Sequence, residues 1–198
     1  MCIRDSLGHA LWRLSNRYDW GTMLIRVSHD HLKQLASQTN ETAHLAVREG
    51  RQALFIDHAV ANHVISVAGQ TGESVPLYCT AHGKALLADF DQQELVTLFG
   101  NGHLRKYTKQ TIVTLPQLAR VCAQIKAQGF SLDDAELQEG VRCAAAPIRA
   151  ESGAIVGSIG ISAPATRFPK DRYAVCGEQV RAVAAEISAR LRVPAREA

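Results

Sequence analysis

Apolar positions along the chain recur first at helical and then at strand spacing. From Gly21 to Asn40, Leu24, Val27, His31, Leu32, Leu35 and Ala36 follow a 3.6-residue period and Asn40 marks a stop, which predicts an amphipathic helix. Upstream, LGHALWRLSNRYDW places Leu7, Leu11, Leu14 and Tyr18 on one stripe with Trp12 nearby. No strand adjoins this second helix, so its apolar face needs a partner, either its own domain or another subunit. Two apolar runs, Ala43 to Val47 and Ala53 to Ile56, flank Glu49-Gly50-Arg51 and predict a β-hairpin. HVISVAG offers another short strand, GQTGESVP reads as a Gly-rich connection, and TAHGKALLADF turns helical. Asp91 to Glu94 and Thr114 to Gln117 both have the capping-box pattern, the second with Pro116 in the first turn. The helix that follows Thr114 carries Leu118, Val121, Cys122 and Ile125 on one face and ends at Gly129. VRCAAAPIRAESGAIVGSIGISAP gives a second hairpin turning at Glu151-Ser152-Gly153. A last helix, between Pro169 and Leu191, sets Cys176, Val180, Val183, Ala184, Ile187 and Leu191 against a sheet. Helices, hairpin, helices, hairpin, helix is an α+β order with an antiparallel sheet.

Composition narrows the class. With 198 residues, 46% hydrophobic and 21% charged, the chain can bury one core. No run of about 18 apolar residues and no signal-peptide pattern occurs, so a cytoplasmic protein without membrane contact is expected. Cys2, Cys79, Cys122, Cys143 and Cys176 form no C-x-x-C pair and read as free thiols, mostly core fillers. A net charge of +3, with Lys and Arg interleaved among acids, does not make a nucleic-acid surface. The densest basic patch, Arg105, Lys106 and Lys109, reads as solvated loop. Cys143, His82 and Asp133 have the residue types of a nucleophile, base and orienter, but no nucleophile signature surrounds Cys143, which lies in an apolar strand. His44, His58, His63 and His82 lack metal-pair spacing. Neither an enzyme, a cofactor nor a metal site is expected.

Several dispersed motifs then agree in order and spacing across roughly Leu7 to Leu191: ETAHLAV, VPLYCTAHGKALLA, the polar stretch from Tyr107-Thr108 to Thr114, QIKAQGFSLDDAELQEGVRCAAAPIR and GSIGISAPATR. Together they resemble the effector-binding domain of IclR-family transcription regulators. The resemblance implies a curved antiparallel sheet of about six strands flanked by helices, distantly like GAF and PAS sensor domains. It also implies an amino-terminal winged helix-turn-helix followed by a linker helix. The implied division is an unmatched peptide at 1–6, a linker helix at 7–20, the effector-binding domain at 21–192 and a tail at 193–198. Only MCIRDS precedes the linker and it matches nothing in the family, so a truncated or mis-assembled frame is expected. The alternative is a head-less sensor that acts by mixed assembly with full-length regulators. Contact with DNA would then come only through the missing head, and self-association into a dimer or tetramer through the leading stripe.

By resemblance the effector is a small organic acid held in a cup against the sheet. Thr80, Ala81 and His82 enter a helix whose unpaired amides suit a carboxylate. Thr80 can equally be a plain N-cap, His82 a satisfied core histidine, and Lys84 one end of a structural ion pair. Asp133 and Cys143 are implied to face the cup, the first accepting from an effector hydroxyl. Glu139 and Arg142 are placed to pair with each other. Alternation sets Ser158, Gly160 and Ser162 on one strand face. Gly160 stands where many family members have serine, which implies a wider cup and an acid bulkier than a two- or three-carbon keto acid. Leu77, Tyr78, Cys79 and Ala145 are either pocket wall or plain core.

Overall fold

The computed structural model describes residues 19–61, 67 and 69–191. The stripe from Leu7 to Tyr18, the peptide at 1–6, the tail at 193–198 and most of the HVISVAG strand lie outside the described residues. The elements run α1 (Asp19–Thr39), β1 (Thr42–Glu49), β2 (Gln52–Ala59), β3 (Ser74–Pro76), α2 (Ala81–Leu86), α3 (Gln92–Phe99) and α4 (Leu115–Gln128). They continue through β4 (Ser131–Asp134), β5 (Val141–Arg149), β6 (Ile155–Pro164), a 3-10 turn (Lys170–Arg172) and α5 (Tyr173–Leu191).

All six strands form one curled antiparallel sheet in the order β3-β2-β1-β6-β5-β4. Two strands escape the sequence pattern. The three residues of β3 close the Gly-rich connection by pairing with Gln52, Ala53 and Leu54, and Pro76 is tolerated because the strand is an edge. The SLDD segment of β4 is too short and polar to read as a strand, because its Ser131 and Asp133 are the inward residues.

The two faces of the sheet carry different chemistry. On one, Ala43, Leu45, Ala144, Ala146, Ile148, Ile159 and Ile161 pack under α1 and α5, whose Leu24, Leu32, Leu35, Val180, Val183 and Ile187 are buried there. On the other, Ala46, Ala53, Phe55 and Val75 meet α2, α3 and α4 through Leu86, Leu87, Leu95, Leu118 and Cys122. Strand alternation therefore sends His44, Asp133, Cys143, Ser158 and Ser162 to the second face, where the helices leave a gap.

The caps separate cleanly. At α3 the Asp91 carboxylate accepts the Glu94 amide (2.8 Å) and Glu94 accepts the Asp91 amide (2.8 Å), a closed capping box. The predicted second box does not form. The Thr114 hydroxyl donates to the Gln117 side chain (2.9 Å) instead of receiving an amide, so α4 begins at Leu115 without a side-chain cap and with Pro116 in its first turn. It ends at Gly129 in the left-handed region (φ 85°).

Candidate effector cavity

A cavity of about 100 Å³ lies between the sheet, the start of α2 and the loop after β4. Thr80, Ala81, His82, Asp133, Cys143 and Ser162 all line it, together with His44, Phe55, Glu73, Leu137, Gln138 and Val141. Ser158 and Gly160 do not. Ser158 sits behind the wall, its hydroxyl 3.0 Å from His82 Nδ1. Gly160 faces the β5 backbone so closely that an added Cβ would lie 2.3 Å from the Ala144 carbonyl and 2.6 Å from Ala145 Cβ. The glycine serves close strand packing, so the argument from a missing serine hydroxyl to a wider cup and a bulkier acid does not hold. Leu77 and Cys79 are core, Ala145 packs with Ala81 and Ala85, and the Tyr78 hydroxyl donates to the Arg105 carbonyl (2.7 Å).

The start of α2 is built tightly. The Thr80 hydroxyl accepts the Gly83 amide (3.1 Å) and donates to the Pro76 carbonyl (2.8 Å), while the Lys84 amide reaches the Thr80 carbonyl (3.0 Å). Thr80 is thus an N-cap that also lines the cavity. Gly83 permits the approach, because a Cβ there would meet the Leu77 carbonyl oxygen at 2.2 Å. Ser131 adds a clamp, its hydroxyl lying 2.5 Å from the Ala81 carbonyl and 3.1 Å from that of Ala145. Among the described residues no protein group accepts from the amides of Ala81 and His82.

Beneath this turn, the ammonium of Lys84 pairs with Glu136, both buried. Asp133 accepts the Glu136 amide (2.7 Å), and the Thr108 and Thr111 hydroxyls donate to the carbonyls of Ala135 (2.7 Å) and Glu136 (2.7 Å). Ala135 is held in the left-handed region (φ 59°), which a non-glycine residue adopts only when its surroundings enforce it. Burial raises the Asp133 carboxyl to about 7 against the opposing pull of Lys84. Burial likewise lowers His44 to about 4 and His82 to about 3, so both rings are neutral.

No thiol–imidazole–carboxylate relay forms. The Cys143 thiol donates to Ser162 (3.3 Å) and is pushed up by burial, while His82 pairs with Ser158 and Asp133 with the Glu136 amide. Arg142 pairs with Asp134 (2.7 Å), not with Glu139, because β4 brings Asp134 opposite it. Arg105, Lys106 and Lys109 are exposed. Among the described residues no group of three His, Cys, Asp or Glu is placed to hold a metal ion, and no helix is long and apolar enough to cross a membrane.

Among the lining residues that the sequence did not point to are His44, Phe55, Glu73, Leu137, Gln138 and Val141, and beneath the cavity Glu136. His44 carried a usable signal, a polar residue inside the apolar run TAHLAV. Glu136 carried none, since its partner Lys84 is 52 positions away.

A curled six-stranded antiparallel sheet with helices on both faces is the architecture of IclR C-terminal domains of known structure. The family described as "Bacterial transcriptional regulator IclR C-terminal" matches residues 20–189. The HTH-type transcriptional repressor AllR of Salmonella typhimurium is 31% identical over 185 residues, which cover 93% of this chain and 68% of that protein. The Agobacterium tumefaciens repressor BlcR superposes with a TM-score of 0.77 at 31% identity, over 94% of this chain and 74% of that one. Thermotoga maritima IclR gives 0.79 at 28% identity, over 90% and 74%. The chain belongs to the IclR family of transcriptional regulators and carries its C-terminal domain. These relatives are regulators rather than enzymes.

Proposed function

We propose that this domain is the sensor of its regulator, and that the cavity holds a small organic acid whose carboxylate accepts from the amides of Ala81 and His82. The observation that carries the reading is a mixed polar and apolar cup lined by Ala81 and His82, two residues whose amides have no protein acceptor among the described residues. An unmade hydrogen bond from a buried amide costs about 1–3 kcal/mol, and a carboxylate offers both amides a charge-assisted partner. Size supports a compact ligand: a cavity near 100 Å³ is smaller than the ~150 Å³ that holds benzene, which argues for a few-carbon acid over an aromatic one. Asp133, neutral below about pH 7, then stands beside the acid without repelling it.

Binding would bias the pose of α2 and the loop after β4, and self-association through the stripe at Leu7 to Tyr18 would pass that bias to an amino-terminal DNA-binding head. The test is thermal: small acids such as glycolate and glyoxylate should raise the melting temperature of the chain at millimolar concentration, by mass action. The matching amide, glycolamide, should shift it far less. Equal stabilisation by acid and amide would remove the carboxylate from the account.

A further inference from the structure

His44 lies on β1 with one ring nitrogen already committed. Its Nε2 is 3.2 Å from the Gly69 carbonyl, and since a carbonyl only accepts, Nε2 carries the proton. In a neutral ring the other nitrogen, Nδ1, is then an acceptor. It is buried and has no hydrogen-bond partner. The residue is 1% exposed and lines the cavity. Phe55 packs against the ring at 4.8 Å and His82 meets it edge-on at 6.0 Å, so the imidazole is wedged and cannot easily turn its lone pair elsewhere. A buried acceptor left unpaired is costly, and a ligand that donates to it recovers that cost while one that cannot donate does not.

We propose that His44 is a specificity-determining residue of the cavity, its Nδ1 requiring a hydrogen-bond donor on the effector, so that a 2-hydroxy acid is preferred over the deoxy or O-methylated acid of similar size. The inference rests on the reading of the cavity as an acid site. It adds His44 as an acceptor for the effector hydroxyl beside Asp133, whose Oδ1 accepts the Glu136 amide. The neutral state of His44 keeps the lone pair available throughout the physiological range.

Calorimetric titration of the full chain with glycolate, acetate and methoxyacetate separates the possibilities. Glycolate should bind roughly five- to tenfold more tightly than the other two, the fold-change of one net hydrogen bond. In His44→Gln, whose amide can still reach the Gly69 carbonyl, that preference should vanish while weak acid binding remains. If that variant does not fold, the ¹⁵N resonance of His44 Nδ1 in the wild type supplies the same answer, moving with glycolate and not with acetate. Equal affinity for all three acids, or an unchanged preference in His44→Gln, would overturn the role of His44 and leave the acid site standing. Failure of every acid to bind would overturn the acid site itself.

Discussion

Replacing Lys84 by methionine is expected to lower the unfolding free energy by about 3–5 kcal/mol, the cost of stranding one buried partner of an ion pair. Lys84 is 2% exposed and its ammonium meets Glu136, whose second oxygen has no partner of its own. Methionine matches the lysine side chain out to Cε and lacks only the ammonium, so the loss is mainly electrostatic. For a domain of this size the drop corresponds to roughly 10 °C in melting temperature. The double variant Lys84→Met, Glu136→Leu should regain most of it, because removing both charges also removes their desolvation. Urea unfolding of the three proteins measures the cycle. Additive losses would mean that the two groups do not interact in the way the geometry indicates.

Asp133→Asn should stabilise the domain at neutral pH and scarcely change it in acid. The folded carboxyl titrates near 7, raised by burial, whereas an unfolded aspartate titrates near ~3.9. Between those values the folded state holds a proton that the unfolded state has lost, so stability falls as pH rises through that window and levels off above it. Asparagine cannot ionise and its side-chain oxygen can still accept the Glu136 amide. The advantage of the variant should therefore grow from near zero at about pH 3 to about 2–4 kcal/mol at about pH 7.5. A constant difference across that range would show that Asp133 does not titrate as a buried carboxyl.

Much of this architecture was legible because its helices and central strands announce themselves by period. Most of the residues that α1 and α5 bury are those the 3.6-residue pattern selected, although Val27 is only half-buried and the small Ser28, Gly177 and Ser188 are buried as well, and both long hairpins turn where Gly50 and Gly153 stand. The short edges were not legible. In β4 the inward residues are polar, so alternation reads backwards, and β3 is three residues beside a run of turn formers. Thr114 shows the limit of a local motif, since the same four-residue pattern closes at Asp91 and not there. At the site, family resemblance led to Asp133, Cys143 and Ser162, while Gly160 has the right alternation but no room for a side chain. His44 stands out locally only as a polar residue in an apolar strand, whereas Glu136 depends on a partner 52 positions away, which no local pattern encodes.

The acid site is tested most directly by following backbone amide resonances of the chain while glycolate is titrated in. The amides of Ala81 and His82 should show the largest saturable shifts, moving together with Asp133 and Ser162 at one common affinity, and glycolamide should leave Ala81 and His82 nearly unmoved. Saturable shifts centred elsewhere on the sheet, or equal shifts of Ala81 and His82 with acid and amide, would contradict the account.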